Sequence, residues 1–239
     1  MKKLIIITGA SSGIGATTAK KLSQEGHPLL LLARRIEKIE ALSLHNTLCR
    51  KVDILDLSSF QSAIKEAEEK FGAADCLINN AGVMLLGKPE TQSLGEWNQM
   101  IDVNIKGLLN GIHLVLEGMI QRNHGTIINI SSIAGRKTFS DHAIYCGTKF
   151  AVHAISENIR QEVANSNVRV SIVAPGVTET ELMSHTTDTA IIDAYNNWKK
   201  TIGAGLDPQD IANAISYIYN QPQRVCIREL VIAPTKQDA

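Results

Sequence analysis

Short apolar runs alternate with longer amphipathic stretches along this 239-residue chain. LIIIT (4–8), PLLLLA (28–33), CLINN (76–80), TIINIS (126–131) and VRVSIVA (168–174) are apolar at successive positions rather than at every second one. Such runs fit strands buried on both faces. A weaker strand is expected at 47–52 and a last one in IRELVIA (227–233). Helical spacing runs from Gly13 to about Glu25, around 36–43, over 57–70, over a long segment at 93–121, from near 142 to about 164, and over 209–219. Asp207 and Pro208 give the last of these an N-cap and a first-turn proline. The alternation predicts an α/β fold, a doubly wound Rossmann-type parallel sheet with helices on both faces. No repeat, low-complexity tract or linker interrupts the pattern, so residues 1–239 read as one domain. The least regular part, 180–206, is a candidate substrate lid.

Composition changes this picture little. Lys plus Arg and Asp plus Glu both equal 24, which gives no argument for nucleic acid or an anionic membrane as partner. No stretch approaches a membrane span. The start, MKKLIIITGA, has too short an apolar run for a signal peptide. Cys49, Cys76, Cys146 and Cys226 are far apart and form no C-x-x-C pair. That spacing argues against a metal site or a disulfide framework and fits a reducing, cytoplasmic setting.

Chemistry enters at TGASSGIG (8–15), which follows the first strand and opens the first helix. Gly9 allows a tight exit from the strand. Gly13 and Gly15 allow close backbone approach to a pyrophosphate, with Ser11, Ser12 and Ile14 between them. The helix N-terminus adds unpaired N–H groups and a positive dipole end. Further on, Tyr145 and Lys149 are four residues apart among small neighbours, so they share one helix face. Ser131 and Ser132, at the end of the TIINIS strand, both stand available.

TGASSGIG, NNAG (79–82), Asn104, ISS (130–132), Tyr145-x-x-x-Lys149 and PG (175–176) come in an order and spacing that resemble the short-chain dehydrogenase/reductase family. The resemblance covers nearly the whole chain. It implies that Lys149 holds the nicotinamide ribose and lowers the pKa of the Tyr145 phenol, the general acid/base. It selects Ser132, thirteen residues before the tyrosine, to orient the substrate carbonyl. It implies that Asn104 kinks its helix and serves a proton relay to the lysine. It places Asn80, Ala81 and Gly82 beside the adenine ribose, and Asp53 and Ile54 around adenine. Pro175, Gly176, Val177, Thr178 and Thr180 fall on the turn that holds the nicotinamide carboxamide. Two departures stand out: Gly147-Thr148 replaces the common Ala-Ser, and Thr178 stands where an aliphatic residue is more frequent.

An NAD reader carries an acid after the second strand, to accept from the ribose 2′-hydroxyl. This chain has Arg34 and Arg35 there, which favours the 2′-phosphate of NADP(H), with Ser11 as helper. Met84, Leu85, Leu86, His142 and the lid around Leu182 to Leu206 are expected to face a small-molecule substrate, a carbonyl or secondary alcohol. Similarity to the serine-type 3-hydroxy acid dehydrogenase and clavulaldehyde reductase branch adds hydroxy acids and aldehydes to that class. Arg136 and Lys137 read as a solvated loop rather than as partners of a substrate carboxylate. Two other functions are weighed: a redox sensor or scaffold without turnover, which would be expected to have lost Tyr145, Lys149 or Ser132, and an epimerase or dehydratase. Finally, segment 94–120 is apolar round most of its circumference and the helix after Tyr145 is poor in charge. Both point to a homodimer or homotetramer.

Overall fold

A computed structural model describes residues 2–238. Seven parallel strands form one sheet in the order β3-β2-β1-β4-β5-β6-β7. They are β1 (Leu4–Thr8), β2 (Leu29–Ala33), β3 (Thr47–Lys51), β4 (Ala74–Asn79), β5 (Gly125–Ile130), β6 (Val168–Pro175) and β7 (Glu229–Ile232). Strands β1, β2, β4, β5 and β6 are buried along their whole length, as the continuous apolar runs require. Leu4 and Ile6 point to one face, with Leu30, Leu77, Ile127 and Val170. Ile5 and Ile7 point to the other, with Leu29, Leu31, Ile78 and Val173.

On the first face lie α3 (Leu57–Phe71), α5 (Leu108–Gln121) and α6 (Ala143–Glu162), through Phe60, Ile112 and Val152 among others. On the second lie α1 (Gly13–Gln24), the short α2 (Ile36–Glu40) and α8 (Pro208–Tyr219), through Leu22, Ile39 and Ile215. The Asp207 carboxylate accepts from Gln209 N, and Asp210 closes a capping box with Pro208 in the first turn.

Two segments depart from the simple pattern. The long helix expected over 93–121 is split into α4 (Leu94–Ile101), a π-helical turn at Asp102–Gly107, and α5. The widened turn brings Asn104 into the interior, where it is buried. The segment 180–206 is more regular than expected. A 3-10 turn (Glu181–His185) leads into α7 (Thr189–Thr201), capped by Asp188, which accepts from Ala190 N and Ile191 N. Ile191, Ala194, Tyr195 and Trp198 recur at helical spacing, so this amphipathic stripe was readable. Ile191 and Tyr195 pack with Met84, Leu86 and Tyr145 in a third apolar cluster.

The chain turns from β3 back across the sheet to β4, so the strand order reverses between β1 and β4. In open parallel sheets the crevice at the carboxyl ends of such strands is where ligands bind.

Candidate active site

The two central strands are stapled together at that reversal. The Thr8 hydroxyl accepts from Asn80 N (3.0 Å) and Ala81 N (3.1 Å). The Asn80 carboxamide donates back to Thr8 O (3.0 Å) and Gly9 O (3.1 Å). A side chain at Gly9 would put its Cβ 2.7 Å from Ala81 Cα, and one at Gly15 would collide with Gly9 O. Gly9 (φ 65°) and Gly13 (φ 51°) also take left-handed backbone conformations that favour glycine. The loop is therefore held against β4, with the N-terminus of α1 opening onto a cleft of about 700 Å³.

That cleft runs from Ser11, Ser12, Arg34 and Arg35 past Asp53, Ile54 and Asn80–Gly82 to Ser132, Tyr145 and Lys149. Gly9, Gly13, Ile14, Pro175, Gly176, Val177, Thr178 and Thr180 complete its wall. Of the residues singled out in the sequence, Gly15 and Asn104 stand behind it, Gly15 for packing and Asn104 as a brace. The Asn104 carboxamide accepts from Val83 N (2.8 Å) and donates to Val83 O (2.9 Å) and the Thr148 hydroxyl (3.2 Å). Thr148 in turn donates to Tyr145 O (2.8 Å), so Thr148 is part of the brace for α6. A Cβ on Gly82 would lie 3.3 Å from Asn104 Oδ1 and 3.8 Å from Lys149 Nζ, so glycine there lets both groups approach.

Tyr145 and Lys149 are both buried. Lys149 Nζ stands 5.7 Å from the centre of the tyrosine ring and donates to Ile130 O (3.0 Å). The expected lowering of the phenol by Lys149 is not the dominant influence on it. Burial dominates and pushes the Tyr145 phenol well above its usual value, with the Ser132 hydroxyl acting in the opposite direction. Burial also pulls the Lys149 ammonium down to about 8. Both shifts have one cause: a charge here lacks the water that would solvate it. Ser132 Oγ accepts from Ala134 N (3.1 Å). Ser131 instead turns inward and donates to Lys149 O (3.2 Å). Thr178 Oγ1 donates to Gly176 O (3.0 Å), so its proton is engaged within the turn.

Around Tyr145 the wall is Met84, Leu86, Phe139, His142, Met183, Ile191, Tyr195 and Trp198. Leu85, expected here, packs into the core, and Leu206 is paired with the backbone of Val177 and Glu179. Arg136 pairs with Glu229 (3.0 Å) and Lys137 with Asp238 (3.4 Å), outside the cleft wall. Burial lowers the pKa of His142, whose Nδ1 lies 2.6 Å from Ser140 O. Sequence reading missed Phe139, Gln237 and two members of the polar cluster at the far end of the cleft, Lys38 and Glu181. There Arg35 donates to Ser11 Oγ and Ser12 Oγ (both 3.1 Å) and to Glu181 Oε2 (3.0 Å), and Lys38 Nζ donates to Glu181 Oε1 (3.1 Å). Lys38 and Arg35 hold the Glu181 carboxyl below the usual carboxylate range. Lys38 follows Arg35 by three positions, a helical spacing that was the only sequence signal for it.

A glycine loop at the strand reversal, joined by one cleft to a buried tyrosine and lysine, defines an oxidoreductase of the dehydrogenase/reductase class. The chain matches the short chain dehydrogenase family over residues 3–190 and belongs to it. It is 42% identical to an uncharacterized oxidoreductase of Staphylococcus saprophyticus, over 98% of this chain and 97% of that protein. Among solved structures, the closed form of a serine dehydrogenase complexed with NADP+ superposes with a TM-score of 0.90 at 30% identity, covering 99% of this chain and 96% of that one. ElxO with NADP bound gives 0.85 at 28% identity, over 97% of each chain.

Proposed function

We propose that this enzyme is a single-domain NADP(H)-dependent reductase or dehydrogenase acting on a small, largely apolar carbonyl compound or the matching secondary alcohol. The observation that carries this reading is the continuity of the cleft, from a cluster of cations and hydroxyls at Arg35 to the Ser132–Tyr145–Lys149 group. NADP(H) fits the residues present. Gly9, Gly13 and the N-terminus of α1 would hold the pyrophosphate, Arg34, Arg35 and Ser11 the 2′-phosphate, Asp53 and Ile54 the adenine, Lys149 the nicotinamide ribose, and the Pro175–Thr180 turn the carboxamide. The cofactors of the solved relatives support the same choice.

When bound, that cofactor supplies or accepts the hydride. Ser132 orients the carbonyl oxygen by a hydrogen bond that strengthens as negative charge develops. Tyr145 passes its phenolic proton to that oxygen in reduction and takes one back in oxidation. A phenol raised by burial keeps its proton at neutral pH, which suits the donor role. Asn104 fixes the segment beside Lys149 and the backbone of Tyr145, and takes part in the proton relay to the lysine. The helix α7 covers the site as its lid. The largely apolar wall around Tyr145, which Asp141 borders, with Arg136 and Lys137 engaged elsewhere, favours aldehydes and ketones over 3-hydroxy acids.

Exposed Leu94, Leu109, Ile120 and Phe150 on α4, α5 and α6 support a homodimer or homotetramer built on these helices. The wide spacing of the four cysteines, with no C-x-x-C pair, supports a cytoplasmic setting. The test is a panel of neutral aldehydes and ketones and of matched keto acids, followed by NADPH consumption, with dissociation constants measured for NADPH and NADH. Consumption of NADPH with the neutral compounds and tighter binding of NADPH is the expected result. Equal affinity for the two cofactors would refute the cofactor assignment, and preference for the acids would refute the substrate class.

A further inference from the structure

The far end of the cleft holds an arrangement that the cofactor reading leaves unused. Glu181 opens the 3-10 turn that leads to the lid helix, yet its carboxylate reaches the start of α2. Each oxygen takes one cation, Oε2 from Arg35 at 3.0 Å and Oε1 from Lys38 at 3.1 Å. The same guanidinium contacts Ser11 and Ser12 of the glycine loop. One anion thus sits on Arg35, beside the Ser11 hydroxyl, the two groups of this cluster that the cofactor reading gives to the phosphate. The other acid of the strap that leads from β6 to α7 (176–188), Glu179, faces the opposite way. It accepts from Lys199 Nζ (2.9 Å) and Gly205 N (2.9 Å), both on the lid side. Of these two acids, Glu181 is the one that ties the strap to the nucleotide end.

We propose that Glu181 is an intramolecular competitor for the 2′-phosphate of the cofactor, and that its displacement unties the strap carrying the lid helix α7. The inference rests on the NADP(H) reading above. A 2′-phosphate carries about −1.5 to −2 charges at neutral pH, by analogy with other phosphate monoesters. It cannot share Arg35 and Lys38 with a carboxylate without strong like-charge repulsion. Glu181 therefore gives up both cations when the phosphate arrives, and the turn at 181–185 loses its tether to α2. A nucleotide with a free 2′-hydroxyl brings no such charge and leaves the tether in place. Glu181 in this way reduces the preference for phosphorylated cofactor that Arg35 and Lys38 alone would give, and makes lid release a response to the phosphate.

The test uses two fragments, 2′,5′-ADP and 5′-AMP, titrated calorimetrically into the wild type, E181Q and E181A. Hydrogen exchange of the 181–201 segment is followed in parallel. Both exposed ion pairs are lost in the variants, so 2′,5′-ADP should bind about three- to tenfold more tightly, with 5′-AMP unchanged. In the wild type, 2′,5′-ADP but not 5′-AMP should raise exchange in the turn at 181–185. In both variants exchange should be high before any ligand is added. If wild type prefers 2′,5′-ADP but the variants bind it no more tightly, the competitor role falls and the NADP(H) reading stands. If wild type and both variants alike bind the two fragments equally, the NADP(H) reading falls and takes the competitor role with it.

Discussion

Lys149 offers a quantitative test of what this site costs the fold. Its ammonium is buried, with Ile130 O as hydrogen-bond partner at 3.0 Å, and burial draws its pKa from 10.5 to about 8. Unfolded chains hold this proton up to about pH 10.5, whereas the folded protein releases it near 8. Between these values the unfolded state binds more protons, so stability rises with pH. The burden is fully present below pH 8 and disappears above about 10.5. At 1.36 kcal/mol per pKa unit it amounts to about 3 kcal/mol at pH 7, of which about 2.5 kcal/mol is relieved by pH 10. Lys149→Met keeps the length of the side chain and removes the titration. Its stability at pH 7 should change little, because the relief of a buried charge is offset by an Ile130 carbonyl left without its partner, about 1–3 kcal/mol. The decisive quantity is the difference between the two proteins in urea unfolding, at fixed protein concentration, from pH 7 to 10. Every other group titrates in both proteins and cancels. Wild type should gain on the variant by about 2.5 kcal/mol over that range. A flat difference would show that Lys149 keeps an ordinary pKa and that the desolvation reasoning is wrong.

Tyr145→Phe should lower turnover by about two orders of magnitude or more while leaving the NADPH dissociation constant, read by fluorescence titration, near that of wild type. Thr8→Val keeps the shape of the side chain but takes the acceptor from Asn80 N and Ala81 N, and should destabilise by about 2–3 kcal/mol. Thr8→Ser should keep most of that stability in the same thermal melt, and equal losses for both would point to packing instead. Leu109→Glu combined with Phe150→Glu, two exposed apolar positions on α5 and α6, should convert the assembly to monomers in light scattering. A wild type that is itself monomeric at micromolar concentration would end the oligomer proposal.

The sheet was legible in the amino-acid pattern. β1 and β2 are apolar at almost every position, and such runs are stable only where both faces are covered, so the doubly wound architecture was legible in the local pattern; β4, β5 and β6 are equally buried although they carry polar residues such as Asn79, Asn129 and Arg169. Gly9 and Gly13 were legible because positive φ and close backbone approach leave few alternatives to glycine. The order of Asn104, Ser132, Tyr145 and Lys149 was legible through family resemblance. Their separate spacings did not carry it. Tertiary structure decided what depends on surroundings. Linear spacing shows that Tyr145 and Lys149 share a helix face, but not that burial moves the phenol up and the ammonium down. Both Ser131 and Ser132 border the cleft, and only the tertiary structure shows that the Ser131 hydroxyl donates to Lys149 O. Asn104 faces inward because a π turn rotates it there, a backbone event that side-chain periodicity does not encode. Glu181 meets Arg35 across 146 positions of chain, and no local pattern joins residues that only the return of the strap over the sheet brings within 3.0 Å.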